Sequence, residues 1–441
     1  MFGRRDLVKL VIPLIVEQLL SATLGMADVL MVAFAGEAAV SGVSLVDTIN
    51  MLILSVFAAL ATGGSIVSAQ YIGREDLENG RRAAKQLLLV TFALSALVML
   101  VCVLGQRPIL RGLYGQAEEA VLQNAHTYFL ITAFSYPGIA LYNAGTALFR
   151  SMGNSKIPMF TSALMCASNI VINAVLIYGF RLGVLGAAAA TLFSRMLCAA
   201  IVLALLRRRT HLIYIDSYLR WRPNFSMIRS ILSIGIPTGL ENGLFNVGKI
   251  LVQSLITTFG TAAIAANAVA NQTSAMSDIP GSAIGLALIT VVGQCVGAGQ
   301  YAQARKYAFR LTGAAYAMMA VLNAGVLIFV NPILGIFGLS PEAAGIAREL
   351  MIFYSISCAV IWPSAFTLPN GLRAAGDVKF TMGVSILSMW VFRIGFSYLI
   401  TAMFDLGVLG VWIAMVIDWI FRAILFIARI CGNKWQQKKL I

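Results

Sequence analysis

The chain carries one plan twice. Ile12-Pro13 with Glu17 returns as Ile236-Pro237 with Glu241, 224 residues further on. At the same spacing Gly36 matches Gly260, Gln70 matches Gln294 and Gly73 matches Gly297. LGVLG (Leu182 to Gly186) recurs letter for letter at Leu406 to Gly410. LFRSMGNSKIPM, from Leu148, aligns with NGLRAAGDVKFTM, from Asn370, and lays Arg150 over Arg373. Such a chain is constrained to fold as two versions of one unit.

The solvent for that fold follows from charge. Only 11% of the 441 residues are charged and 59% are hydrophobic, whereas soluble domains carry about 25% charged residues. The expectation is an all-α polytopic membrane protein. About twelve apolar segments are long enough to cross a ~30 Å hydrocarbon core. The formal charge of +14 is distributed by topology. Arg4, Arg5, Lys9, the 74–85 group, Arg150, Lys156, the 207–229 group, Arg305, Lys306, Arg310, Arg373, Lys379 and the terminal Arg429, Lys434, Lys438 and Lys439 fall on one side. Arg107, Arg111, Arg181 and Arg348 fall on the other. That bias places both termini in the cytoplasm of a multi-pass plasma (inner) membrane protein. It gives no reason to invoke nucleic acid. The first apolar stretch is too long for a signal peptide and carries Glu17 and Asp28, so it reads as a retained span.

Six spans per copy give lobes at 1–206 and 231–441, joined by a cytoplasmic linker at 207–230. An even number of spans keeps both copies in the same orientation, related by an axis along the membrane normal, around a central cleft. A duplicated apolar chain of this kind marks a transporter with its path between the lobes. The linker is expected to form a short amphipathic helix, with Tyr214, Tyr218 and Trp221 at the interface. Pro13 and Pro237 either open their helices as first-turn residues or bend them. Gly63 and Gly64 suit close helix packing.

Ionisable groups within spans are costly and point to function or pairing, at about 2.5–3.5 kcal/mol each on insertion scales. Glu17, Asp28, Glu241, Asp278 and Asp418 are the acids; Lys249, Arg195 and Arg393 are the bases. Glu17 and Asp28 return to nearly one face of the first span, ~16 Å apart. Glu241 repeats Glu17, but Asp28 falls opposite Val252. That break suggests ion coupling in one lobe only. Asp418 and Arg422 are spaced to neutralise each other. Glu17, Glu241, Asp278 and Lys249 are candidates for a substrate cavity.

Six scattered cysteines and two isolated histidines, His126 and His211, offer no metal-ligand spacing. No nucleophile–base pattern occurs, so no catalytic residue, enzyme activity or cofactor is expected beyond a coupling ion. A channel lacks its repeated filter sequence.

Over almost its whole length the chain resembles the multidrug and toxic compound extrusion family. The resemblance rests on PLIVEQLLSATLGMADVLMVAFAGEAAVSGVSL (Pro13 to Leu45), AQYIG (Ala69 to Gly73), ALFRSMGN (Ala147 to Asn154), the Ser168 to Arg195 segment and FGTAAIAANAVANQ (Phe259 to Gln272). It implies an antiporter exporting amphipathic, often cationic compounds against sodium or proton influx, acting as a monomer. The family's first-span aspartate matches Asp28. Its fifth-span Asn-x-x-x-Asp pattern matches Asn169 and Asn173, and its sixth-span threonine matches Thr191. These residues form the family's cation site, the place for a Na+ here. Asn173 stands where the pattern has a second aspartate, one formal charge fewer. Asn143 matches a cavity position. The alternative is a lipid-linked oligosaccharide flippase of the same superfamily, which would want a strongly cationic cavity.

Overall fold

The structure is a computed structural model describing residues 2–218, 222–404, 406–438 and 440–441. Arg220, Trp221 and Lys439, assigned above to the cytoplasmic side, lie outside the described residues. The described chain is helical with no β-strand. The first copy comprises α1 (Arg4–Ala33), α2 (Glu37–Gly73), α3 (Leu77–Tyr114), α4 (Glu119–Phe134), α5 (Tyr136–Ser151), α6 (Lys156–Asn173) and α7 (Gly183–Leu206). The second comprises α8 (Phe225–Thr257), α9 (Thr261–Ser277), α10 (Ile279–Gly297), α11 (Tyr301–Ile328), α12 (Val330–Ile336), α13 (Pro341–Trp362), α14 (Pro369–Ala374), α15 (Val378–Ser388), α16 (Phe396–Met403) and α17 (Gly407–Cys431).

Ten of these helical segments, among the described residues, are long and apolar enough to cross a membrane by themselves. Two further crossings complete the expected twelve. The α4–α5 crossing is interrupted at Ser135, where Pro137 removes a donor just inside α5. In α8 the apolar residues are interleaved with Glu241, Asn242, Asn246 and glycines. Pro280 breaks α9 from α10 in the same way. Three π-helical turns widen the helices at Ala174–Gly179, Pro363–Thr367 and Met389–Gly395.

The duplication is visible in the backbone as well as in the letters. Gly36 and Gly260 both adopt positive φ (100° and 92°) ahead of their helices, a conformation that costs a side chain strain and costs glycine little. Gly183 and Gly407 share φ 52° before the two LGVLG helices. The same turn appears at Glu75 and Gly299 (64° and 72°), although glutamate tolerates it less well.

Internal contacts divide the chain into two compact units, Gly3–Gly239 and Leu240–Leu440 with Phe2. In the amino-terminal unit α2 runs against α3, α4 and α5, and α1 against α6. The first half of α8 belongs to this unit. A Cβ on Gly63 would lie 2.6 Å from the Ile231 carbonyl, so the glycine sets how closely α8 meets α2. In the carboxyl-terminal unit α10 packs on α11, α9 on α13, and α16 on α17. Its core is built from Val252, Ile256, Met319, Leu350, Tyr354, Trp412 and Trp419, among others.

Pro13 and Pro237 lie more than two turns inside α1 and α8, so neither is a first-turn proline. Pro13 frees the Lys9 carbonyl. Ser155 donates its hydroxyl there at 3.2 Å and to the Leu10 carbonyl at 2.8 Å.

The linker corrects one expectation. Before Phe225 it contains no helix among the described residues 208–218 and 222–224. The reason is its alternation: Ile213 and Ile215 are both buried, a spacing that suits extended chain rather than a helical face. Tyr214 lies beneath the Arg81 guanidinium at 4.1 Å. Gln86 ties the linker's end to α3, donating to the Arg222 carbonyl and accepting from the Asn224 amide. His211 packs edge-on to Phe149. Burial, then the nearby Arg208 charge, holds its imidazole below the usual histidine range.

Candidate functional site

Two polar clusters stand out, one in each unit. In the amino-terminal unit, Asp28 sits half-buried near the end of α1. Its Oδ1 accepts a hydrogen bond from Asn173 Nδ2 at 2.8 Å. Asn173 Nδ2 also donates to Asn169 Oδ1 at 2.9 Å, and Asn169 donates to Thr191 Oγ1 at 3.5 Å. Asn169, Asn173 and Thr191 are all buried. The Asn spacing of four puts both amides on one face of α6, and the π-turn begins directly after Asn173. Asn173 Oδ1 is buried with no hydrogen-bond partner. An oxygen left so, beside a carboxylate, is a ligand atom suited to a hard cation.

The four residues inferred from the resemblance are therefore brought together. Neighbouring polar residues join them that no motif connects in sequence. Asp47 accepts from Asn50 at 3.3 Å, and Asn50 accepts from the Tyr136 hydroxyl at 2.7 Å. Arg195 donates to Ser135 Oγ at 2.9 Å, and its charge acts on both Asp28 and Asp47. Their sequence signal was weak, because a lone polar residue in a span shows no partner. Asn143 is half-buried on α5 and has no side-chain hydrogen bond to the Asp28–Thr191 chain.

Glu17 and Glu241 are each bound to an arginine from the other matched block. Arg150 Nη1 lies 2.6 Å from Glu17 Oε1, and Arg373 Nη2 lies 2.6 Å from Glu241 Oε1. Both glutamates are 6% exposed, and each keeps a second oxygen, Oε2, buried and without a partner. The doubled Glu and Arg positions were the available signal for this pairing.

In the carboxyl-terminal unit, Asp278 occupies the break between α9 and α10. It accepts from the Tyr354 hydroxyl at 2.6 Å and from Cys358 Sγ at 3.8 Å. Asp418 takes Arg422 Nε at 2.8 Å, as its spacing foretold, and also the Ser388 hydroxyl. Arg393 stands 3.8 Å from the other Asp418 oxygen. Lys249, Arg393 and Arg422 all lie over the Phe245 ring, at 5.0, 5.4 and 5.4 Å. No group of three histidine, cysteine or acidic side chains that could hold a metal ion occurs among the described residues.

Two arrays of helices, each with polar groups turned inward at broken or widened turns, define a polytopic transport protein. Comparison with known proteins makes this specific. The MatE family model matches residues 13–178 and 237–399, one stretch in each copy. The chain belongs to the MatE family, the multidrug and toxic compound extrusion transporters, and is a transporter rather than an enzyme. It is 25% identical to a probable multidrug resistance protein NorM of Thermotoga maritima, over 99% of this chain and 94% of that protein. An outward-facing multidrug resistance MATE family transporter of the MOP superfamily shares the fold with a TM-score of 0.91, at 21% identity, over 97% of this chain and 95% of that one. A MOP superfamily transporter from Pyrococcus furiosus, described as having a binding pocket of reverse polarity, matches with a TM-score of 0.90 at 22% identity, over 99% of this chain and 97% of that one.

Proposed function

We propose that this chain is a secondary active antiporter that exports amphipathic small molecules, cationic drugs or metabolites foremost, in exchange for H+ or Na+ by alternating access. The observation that carries the reading is the Asp28–Asn173–Asn169–Thr191 chain, with its unpartnered Asn173 oxygen. The multidrug resistance names of its relatives support the export of drugs.

The mechanism needs no covalent step. Ionised Asp28 carries a charge that is costly to enclose; with a proton or a cation on it, the same group is cheaper to enclose. An arrangement of α1, α6 and α7 that closes around Asp28 is therefore favoured when the ion is bound, and one that opens it is favoured when the ion leaves. Ion influx then biases the two lobes between outward and inward states. Drug export is coupled only if the drug binds those states with different affinity. Asp28, Asn169, Asn173 and Thr191 serve the ion. Glu17, Glu241, Asn143, Asp278 and Lys249 serve the substrate path, the two glutamates by supplying or releasing charge through their arginine partners. The protein acts as a monomer in the plasma (inner) membrane, with both termini in the cytoplasm.

The test is export of a fluorescent cationic dye into the lumen of everted vesicles, under an imposed pH gradient in one arm and an imposed sodium gradient in the other. One gradient should drive dye movement against its concentration. Equal, passive dye movement under both would remove the antiport reading.

A further inference from the structure

In the carboxyl-terminal unit the bases of the spans are not evenly matched by acids. Arg373 and Arg429 each hold a carboxylate at 2.6 Å, from Glu241 and Asp377. Arg422 holds Asp418 and also donates to the Ser385 carbonyl at 3.0 Å. Lys249 and Arg393 differ. Lys249 has no carboxylate within 4 Å among the described residues. Arg393 reaches Asp418 only at 3.8 Å, and its Nε has no partner. Asp278 accepts from Tyr354, and its charge reaches Lys249 only from beyond ion-pair distance. Three cations thus share the ring of Phe245, with Asp418 the one carboxylate in ion-pair reach of them among the described residues, an excess of positive charge that a further anion would relieve.

The surroundings say which anion. Phe245 meets Phe366 edge-on, Phe366 stacks on Trp362, and Trp419 closes the group against Phe366. Trp419 is 2% exposed, and its indole N–H is buried with no acceptor. Gly248 has no Cβ to hold α8 away from Met389, which a Cβ would meet at 2.3 Å. It thereby lets α8 approach the π-turn that carries Arg393. Ammonium and guanidinium donors beside aromatic faces are the complement of a planar acid group on an aromatic body.

We propose that Lys249 and Arg393, set on the Phe245 ring, form a receiving site for the acid group of an aromatic organic anion. The site would admit aromatic carboxylates, and zwitterions carrying one, to an export range otherwise read as cationic. The proposal rests on the export reading for its physiological meaning, but its binding chemistry can be tested alone.

The experiment is calorimetric titration of the full chain in phosphatidylcholine nanodiscs with naphthoate, naphthamide and naphthylmethylammonium, each with and without inorganic phosphate. Naphthoate should bind at least about tenfold more tightly than naphthamide. Lys249→Gln should lose most of that preference, and Lys249→Arg should keep it. Lys249 has no ion pair to lose, so its substitution tests the site even where Arg393→Gln fails to fold. Equal binding of naphthoate and naphthamide would overturn the proposal, as would an unchanged Lys249→Gln titration. Displacement of naphthoate by phosphate at equal concentration would also overturn it, by showing a site for any anion. If wild-type vesicles show no driven dye efflux while naphthoate still binds as described, the export reading falls and the site stands. Driven efflux with no naphthoate preference does the opposite: the site falls and export stands.

Discussion

In the amino-terminal unit, Asp28 and Asp47 face a single base, Arg195, among amides and hydroxyls. In the carboxyl-terminal unit, Lys249, Arg393 and Arg422 face Asp278 and Asp418 among aromatic rings. With every group ionised, the first cluster is formally acidic and the second formally basic. Matching positions 224 residues apart show how one ancestral plan came to hold both. Asp28 falls opposite Val252, which is buried in the apolar core. Lys249 falls opposite Gly25, Asp278 opposite Leu54, Asp418 opposite Ser194, and Arg422 opposite Cys198. Arg195 falls opposite Trp419. Charge has been placed in one copy wherever the other is neutral, while the Glu–Arg pair was kept in both. The backbone repeat carries the architecture, and the departures from the repeat carry the division of labour.

The largest expected effect breaks that division directly. Asp28→Asn keeps the shape and the hydrogen-bonding surroundings but cannot change charge. Gradient-driven efflux should fall to background while the purified protein still elutes as a folded species. Asp278→Asn should reduce the rate yet leave the response to the gradient in place. Loss of gradient dependence in Asp278→Asn, with Asp28→Asn still coupled, would mean that ion coupling resides in the carboxyl-terminal unit instead.

Next in size are the two shared pairs. Arg150→Ala and Arg373→Ala each strand a buried glutamate, at a cost of about 3–5 kcal/mol. The two variants should lower the thermal unfolding midpoint in detergent by similar amounts. The paired variants Glu17→Gln with Arg150→Gln, and Glu241→Gln with Arg373→Gln, should recover much of the loss, because no buried charge remains. A large cost in one unit and none in the other would end the view that these pairs are common architecture.

How much of this could be read from the letters depends on whether the information is local. The spans, the duplication and the missing partner of Asp28 follow from composition and spacing. The Asp418–Arg422 pair follows from helical period, and the Asn169–Asn173 face was legible through the family pattern. The Glu–Arg pairs join helices far apart in sequence, so two matched glutamates and two matched arginines were seen without being connected. The aromatic cluster is drawn from α8, α13, α17 and one π-turn, its bases from α8, α17 and another π-turn, and no sequence window contains it. In the linker the aromatic residues suggest an interfacial helix, while the Ile213–Ile215 alternation decides for extended chain. The π-turns at Asn173 and Arg393 have no marker in residue type, although such turns recur at functional positions.

A smaller change sharpens the ion-coupling side of the comparison. Asn173 now donates one hydrogen to Asp28 and another to Asn169. Asn173→Asp removes that donor and sets two carboxylates together, which cannot both ionise without a shared proton or a cation. The sodium concentration that half-saturates driven efflux should fall by about tenfold, a change of ~1.4 kcal/mol. An unchanged sodium response would show that Asp28 and Asn173 do not act on a common ion.

The smallest effect concerns the two prolines, matched in sequence but supported differently. Pro13 leaves the Lys9 carbonyl without its helical donor, and Ser155 supplies a hydroxyl there and to Leu10. The residue matched to Ser155 in the second copy is Val378, which has no donor. Among the described residues no side chain donates to the Ser233 carbonyl that Pro237 frees. Ser155→Ala should therefore cost about 1 kcal/mol, read as a lowered unfolding midpoint. Pro13→Ala should make the same substitution nearly silent, because the restored amide at position 13 would again bond to Lys9. That non-additivity is the informative quantity. Equal costs of Ser155→Ala with and without the proline would mean that the hydroxyl does not serve the break in α1, and the two prolines would then differ only in their neighbours.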